Sequence, residues 1–389
     1  MLTAEQREIQ ALAREFARGE LRPHAARRDE ERRLDRDVLG KLAELGFLGM
    51  RIPEEHGGLG LGWTTWLVVL EELAWGDAAV ALQVGVHTGP VTELLLRHGN
   101  AEQRDRLLPR LATGELLGAL ALSEPQAGSD ASAVPARARP ADGAWVLSGE
   151  QPWVTGGESA GLVLLFARTG EALRSVGCFL VDPRAEGYRM GERAVTMGLC
   201  AAEALTVTLE GVRVGEDALL GGAHEGFSHA MEALDVGRLG TAAQALGVAR
   251  SAFEHATGYA LEREQFGRPI ANFGAIQEKL AEMAARIEGA RALTREVASL
   301  LDEEGEGSPR AAGASGLTAR AAMAKLLATR TAMWVTDETV QVFGGYGYMR
   351  DYPVEKLMRD AKGMEIYEGT SEVLRWVIAR EVLRTARGG

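Results

Sequence analysis

In the stretch "EIYEGTSEVLRW" (residues 365–376), Glu368 stands between a tyrosine and a glycine, directly ahead of a Gly-Thr-Ser turn. Thr370 or Ser371 can cap the helix that follows, and Glu372 falls in its first turn, where a carboxylate suits the helix dipole. Glu368 comes too early for either task. Capping leaves it unexplained.

Other stretches carry residue types suited to a ligand. In "LSEPQAGSD" (122–130), Ser, Gly and Asp cluster at a strand end and can form an anion-binding loop of backbone amides, although an ordinary β-turn has the same composition. "QPWVTGG" (151–157) sets a tryptophan beside a threonine, an aromatic face and a hydroxyl for a planar ring, or a core residue. In "YALEREQFGRPI" (259–270), Arg263 and Gln265 precede Phe266-Gly267 at a helix end, where an arginine can grip phosphate bidentately or stand solvated. In "QVFGGYGYMRDYPVEKLMRDAKGMEIYEGTSEV" (341–373), Gly344-Gly345 allows a ligand or another backbone to approach.

The elements that must position these residues fall into three blocks. Residues 3–50 have helical apolar spacing interrupted at Pro23, "IPEEHGGLGLGW" (52–63) is turn-rich, and helical patterning resumes through 64–113. Between about 118 and 222, "LGALALSE", "AWVLSGEQPWVT", "GLVLLFAR", "VGCFLVD" and "ALTVTLEGVRV" are short apolar or alternating runs bounded by turn residues, which predicts strands. Helical runs follow at 226–262, 274–301, 317–342 and 371–386, with a polar connection at 302–316. The spacing predicts an N-terminal helical domain (1–117), a central β domain (118–225) and a C-terminal helical domain (226–389).

Composition narrows the function. A chain of 389 residues with 46% hydrophobic and 25% charged residues is ordinary globular sequence. A net charge of −12 without a long basic block argues against a nucleic-acid surface. Cys178 and Cys200 form no CxxC pair, and the close pair His224/His229 lacks helical i,i+4 spacing, so those histidines read as surface or capping groups and no metal site is expected. The N-terminus shows early charges and no apolar signal region, and "WLVVLEELAW" is too short to cross a bilayer. The expectation is a cytoplasmic protein with no membrane span.

Taken together and in order, these stretches resemble the acyl-CoA dehydrogenase family over nearly the whole chain. "LSEPQAGSD" is similar to the family's first signature and "RDAKGMEIYEGTSEV" to its second, with "WVT", "ALEREQFGRPI", "FGAIQ" and "QVFGGYGY" between them. The resemblance implies an α+β multidomain fold whose central domain is barrel-like or sandwich-like and whose C-terminal domain is a four-helix bundle. It also implies FAD held noncovalently, an acyl-CoA substrate, an electron transfer flavoprotein as electron acceptor, and a homotetramer built as a dimer of dimers.

Residue by residue, the likeness places Leu122, Ser123 and Ser129 along the flavin, Trp153 against its ring and Thr155 near N5. Arg263, Gln265, Phe266 and Gln277, with Gln341, Gly344 and Gly345, would reach the FAD of a neighbouring subunit. Thr370 and Glu372 would contact the chain's own nucleotide. On the substrate side it implies Asp235 and Arg238 from "LDVGR", Ser129, Tyr367, Gly369 and Arg380.

Glu368 resembles the family's catalytic base, which takes the α-proton of the thioester while the β-hydrogen leaves as hydride to the flavin. Burial should raise its pKa toward neutrality. The family stabilises the enolate-like charge with the backbone N–H of this glutamate and a flavin ribityl hydroxyl. Some relatives, such as the isovaleryl type, place the base at the position matching Gly237.

Departures from the family pattern occur at Gly156, where asparagine is usual, and at Thr196, Cys200 and Ala202, with effects expected on the cleft rim or strand contacts. A decarboxylating glutaryl-CoA type would need an arginine in the second helical stretch, and residues 76–96 contain none. A flavin monooxygenase or a non-catalytic acyl-CoA binder on the same fold are the remaining alternatives.

Overall fold

The computed structural model describes residues 2–304 and 317–387, so most of the polar connection read at 302–316 lies outside the described residues. Helices fill the chain to Ala112, strands run from Gly118 to Leu220, and helices resume at Gly226. The helix Ala4–Phe16 opens on a capping box in which Thr3 Oγ1 accepts from the Gln6 amide at 3.1 Å and the Gln6 side chain accepts from the Thr3 amide at 2.9 Å. The helix Trp63–Gly76 is buried on nearly every face. Its first two amides, Trp63 and Thr64, donate to the Asp302 carboxylate at 2.5 and 3.0 Å, a cap supplied from a distant helix.

Residues Ala78–His98 form a helical stretch long and apolar enough to cross a membrane, but 78% of its most apolar window is buried inside the protein. Here it is a core element.

Among the described residues, the central segment forms one eight-stranded sheet. Its strands are β1 (Gly118–Ala121), β2 (Arg137–Ala141), β3 (Ala144–Val154), β4 (Leu162–Arg168), β5 (Val176–Val181), β6 (Tyr188–Arg193), β7 (Leu205–Gly215) and β8 (Leu219–Leu220). The order is β6-β7-β3-β2-β4-β5-β8, with β1 pairing parallel to β4. Strands β4 and β5 are buried almost end to end, as their continuous apolar runs require. The strands β2 and β6 were not foreseen, because "RARPA" contains a proline and "YRMGER" is polar and mostly exposed.

The C-terminal part packs the helices Gly226–Glu262, Gly274–Glu304, Leu317–Phe343 and Ser371–Ala386, with the shorter Val354–Met364 helix against them. The Gly226–Glu262 and Leu317–Phe343 helices run side by side in the same direction. Thr318 donates to Asp235 at 2.6 Å, Thr339 to the Ala252 carbonyl at 3.3 Å, and Tyr259 stacks on Phe343 at 4.1 Å. His229 is not a surface group. It is buried and stacks on His98 with ring centroids 3.8 Å apart, because the long helix carries it into the joint with the N-terminal helices.

Small residues let the blocks approach. A Cβ on Gly240 would meet the Trp66 ring at 2.9 Å, and one on Gly247 would collide with the Glu71 backbone, so the Trp63–Gly76 helix lies directly on the long helix. Leu199, Ala201 and Ala202 pack into the core shared with the N-terminal helices, and the Leu199 amide donates to the buried Asp360 carboxylate at 2.6 Å. Cys200 is buried beside them. The departures at Cys200 and Ala202 therefore build a joint between blocks.

The same faces carry ions. Glu72, wholly buried, accepts from Gln10 at 2.8 Å, Arg14 at 2.8 Å and Arg250 at 2.5 Å, while Glu71 accepts from Arg291 at 2.9 Å. These arginines hold the Glu72 carboxyl below the usual carboxylate range against the opposing effect of burial. Glu72→Ala leaves the mostly buried Arg250 without this carboxylate, a loss of about 3 kcal/mol by the measure of broken buried pairs. Thermal unfolding should show a melting temperature several degrees lower, and an unchanged one would mean that the network contributes nothing.

Candidate active site

The Val354–Met364 helix ends in a turn that leads to the Ser371–Ala386 helix, and Glu368 and Gly369 occupy that turn with φ of 54° and 94°. A left-handed glutamate costs on the order of 1–3 kcal/mol and persists only where its surroundings fix it. Gly369 accommodates the second left-handed position without a Cβ penalty. Thr370 caps the next helix, its Oγ1 accepting from the Val373 amide at 3.3 Å.

The turn points the Glu368 side chain at the long helix. A Cβ on Gly237 would lie 2.7 Å from Glu368 Oε1 and closer still to Cδ and Oε2. The carboxyl group thus occupies space that only a glycine leaves at 237. Glu368 Oε2 is buried and has no hydrogen-bond partner among the described residues. Burial is the main cause that pushes this carboxyl up to about 7, with Arg238 and Lys325 pulling the other way and Asp235 adding to the rise.

The backbone of the turn is clamped by cations. Arg238 Nε donates to the Glu368 carbonyl at 3.4 Å and its Nη1 to Asp235 at 2.7 Å, and Arg238 itself is buried. Lys325, with no exposed surface, donates to the Gly369 carbonyl at 2.7 Å. Sequence reasoning missed Lys325, since a lysine in "AAMAKLLATR" reads as a solvated helix face. Tyr367 donates to Gln244 Oε1 at 2.5 Å, and Gln244 in turn donates to the Ala78 carbonyl at 2.7 Å. Gln244 was also missed.

The Ala78–Val86 helix joins this turn to the β domain. Gln83, buried with both amide atoms unpartnered among the described residues, lies 2.7 Å from where a Gly156 Cβ would be. Gly156, the departure from asparagine, therefore leaves room for Gln83. Just before it, Trp153 has φ of 60° and stands 59% exposed at an irregularity in β3. A large aromatic held outward in a left-handed conformation is suited to a planar ligand. Leu122 is buried, Ser123 and Thr155 are half-buried and Ser129 is exposed, on loops at the ends of β1 and β3. Glu124 pins the first of these loops, accepting from the Ala136 amide at 2.8 Å and from Gln151 at 3.2 Å.

The remaining candidates form a second, distant cluster. Arg263 lies over the Tyr346 ring at 5.7 Å, the exposed Phe266 meets Phe273 at 6.0 Å, and the Gln277 amide donates to the Phe273 carbonyl at 3.1 Å. Gln265, Gln341, Gly344 and Gly345 are exposed, and a Cβ on either glycine would meet open space. The helical rise puts Arg263 about 40 Å from Gly237, and Gln341 about 24 Å from Lys325. Glu372 and Arg380 are exposed on the last helix, with Arg380 over the Trp376 ring at 5.0 Å. The structure thus gathers Glu368, Tyr367, Gly369, Asp235 and Arg238 into one place and sets the Arg263 and Gln341 group apart.

Comparison with known proteins assigns this arrangement. Residues 3–115 match the acyl-CoA dehydrogenase N-terminal domain, 119–212 the middle domain and 224–383 the C-terminal domain. The chain is 40% identical over 387 residues to the acryloyl-CoA reductase (NADH) of Anaerotignum propionicum, covering 98% of this chain and 95% of the relative. It is 38% identical over 381 residues to the mitochondrial short-chain specific acyl-CoA dehydrogenase of Bos taurus, covering 97% and 90%. It superposes on the butyryl-CoA dehydrogenase of Megasphaera elsdenii with a TM-score of 0.93 at 35% identity, covering 98% and 99%. A buried glutamate on a clamped turn, an outward tryptophan on the sheet and these likenesses agree: the chain belongs to the acyl-CoA dehydrogenase family, FAD-dependent flavoprotein oxidoreductases.

Proposed function

We propose that the protein oxidises a short acyl-CoA to its trans-2-enoyl-CoA, with Glu368 as the acceptor of the α-proton. The observation that carries this reading is the Glu368 carboxyl, buried opposite Gly237 with Oε2 unpartnered and pushed up to about 7. A base with that affinity holds the proton firmly enough to accept it from an acidified carbon yet is substantially ionised at neutral pH. When bound, FAD supplies the acceptor for the hydride that leaves the β-carbon. The exposed Trp153, the adjoining Thr155 and the serines of the 123–129 loop fit a flavin ring on the sheet side.

Arg238 and Lys325 hold the turn through its carbonyls, which leaves the carboxylate free to receive the proton. Gly237, Thr241 and Gln244 follow one face of the long helix. Gln244 stands about 10 Å beyond Gly237 by helical rise, and tied to Tyr367 it forms the floor that favours a short acyl tail. The separation of the two clusters supports a homotetramer in which Arg263, Gln265, Phe266, Gln277, Gln341, Gly344 and Gly345 grip a neighbour's FAD. An electron transfer flavoprotein is the proposed electron acceptor.

A second reading is reduction of an enoyl-CoA, favoured by the identity to the acryloyl-CoA reductase. It uses the same residues in reverse. Anaerobic bleaching of the flavin by butyryl-CoA, followed by turnover with an electron acceptor, supports the oxidative direction. NADH-driven loss of enoyl-CoA without such turnover supports the other.

Glu368→Gln keeps shape and hydrogen bonding but cannot accept a proton, so kcat should fall by about 100-fold or more with FAD content unchanged. Because the ionised form is the active one, kcat/KM of the wild type should rise with pH through about 7. Near-normal turnover by the variant would place the base elsewhere.

Gly237→Ala pushes the Glu368 carboxyl out of its seat, and since that group ends a flexible side chain, displacement is expected rather than misfolding. Stopped-flow reduction should slow by up to about 100-fold, the cost of a reacting group misplaced by about 1 Å. An unchanged rate would mean that the seat does not matter. Gln244→Ala removes the floor, and the ratio of kcat/KM for octanoyl-CoA over butyryl-CoA should increase. A constant ratio would show that chain length is limited elsewhere.

A further inference from the structure

The chemistry above uses Lys325 only as a hydrogen-bond donor to the turn, yet it is a charged-type side chain with no exposed surface in the wall behind the proposed base. Burial of an ammonium group is costly unless it is engaged. Its Nζ donates to the Gly369 carbonyl at 2.7 Å, the residue after Glu368 in the left-handed turn. The charged groups acting on it are Glu368 and Glu365 from the loop after the Val354–Met364 helix, and Arg238 from the long helix. The Gly274–Glu304 and Ser371–Ala386 helices also pack on the lysine's helix and bring no charge to bear on it among the described residues.

We propose that Lys325 is a positioning residue for the reaction: it fixes the turn that aims Glu368 and, by its charge, favours the proton-accepting carboxylate. The inference rests on the assignment of Glu368 as base. The geometry has a division of labour. Arg238 holds the Glu368 carbonyl and is shared with Asp235, whose negative charge opposes ionisation of Glu368. Lys325 holds the next carbonyl, and the opposing negative groups near it are Glu368 itself and Glu365, which Lys362 pairs at 2.8 Å. Burial depresses the lysine to about 7, so its charge is fully present on the acid side, where Glu368 is losing its ionised form.

The sign of the effect follows. A positive Lys325 lowers the pKa of Glu368, so its removal raises it, and at a given acid pH a smaller fraction of the enzyme carries an ionised base. Lys325→Met keeps the length and apolar stem while deleting the charge and the donor. In the holoenzyme we expect the acid limb of the kcat/KM profile to move up by about one pH unit. Activity should fall by about tenfold at pH 6 and approach the wild-type value at pH 9. Lys325→Arg, which retains the charge, should return the limb toward its original place. Infrared difference titration of the carboxyl C=O band that disappears in Glu368→Gln should show the same displacement without any turnover.

A limb and band unmoved in Lys325→Met, with Glu368→Gln inactive, would overturn the role of Lys325 and leave the base intact. Full activity in Glu368→Gln would instead overturn the assignment beneath it. Should Lys325→Met lose FAD or fold poorly, the arginine variant decides. Wild-type pH dependence in Lys325→Arg supports the charge, and a displaced limb in that well-folded variant removes it.

Discussion

One carboxyl group in a buried, left-handed turn constrains much of the rest of this structure. Its position requires glycine at 237, because any side chain there would occupy the same volume. Its backbone carbonyls face inward and need donors, and the protein supplies two cations, Arg238 and Lys325, from two parallel helices. Neither cation touches the free oxygen of the carboxyl group, which stays unpartnered. A direct ion pair would have lowered the affinity of that oxygen for a proton and spoiled it as a base near neutral pH. Holding the turn by its carbonyls avoids this.

The turn can be held so closely only if the helices that supply the cations do not shift. The long helix is locked against the N-terminal helices by close approaches at Gly240 and Gly247 and by Arg250 buried against Glu72. The Gln244 side chain then links that joint directly to the site, since it bonds Ala78 on one side and Tyr367 on the other. A substitution in the helix joint can therefore reach the proposed base through Gln244 as well as through Gly237 and Arg238 on the same helix. The same short Ala78–Val86 helix places Gln83 against Gly156 and so ties the sheet's outward tryptophan to the same frame.

The elements with strong chemical character were legible from the residues alone. Strands β4 and β5 read as apolar runs because both their faces are buried, and the Gly226–Glu262 and Ser371–Ala386 helices stand where their spacing put them. Strands β2 and β6 were not legible, since their polar sequences are fixed by pairing with β3 and β7 rather than by burial. Glu368 stood out because no local task explained it. Lys325 and Gln244 did not, because a lysine or glutamine within a helix has the same local pattern whether it faces solvent or a buried carbonyl. Only packing tells these apart. Gly237 lies between, as its match to a base position in relatives was visible, whereas its role as the seat of the opposing carboxyl became clear only from the fold.

The parallel course of the Gly226–Glu262 and Leu317–Phe343 helices has a mechanical consequence. At their first halves they carry Gly237, Arg238 and Lys325, and at their far ends Arg263, Gln341 and the exposed glycines. They are in contact between these ends, from Thr318 against Asp235 to Tyr259 against Phe343. Two long helices packed in this way behave as a stiff beam, because a relative slide would break every contact along them together. On the proposed assembly, the far end grips a cofactor that belongs to a neighbouring chain. Under that proposal each beam would fix the proposed base of one site and part of the cofactor pocket of another, so the spacing between them would depend on how chains dock as well as on how each one folds.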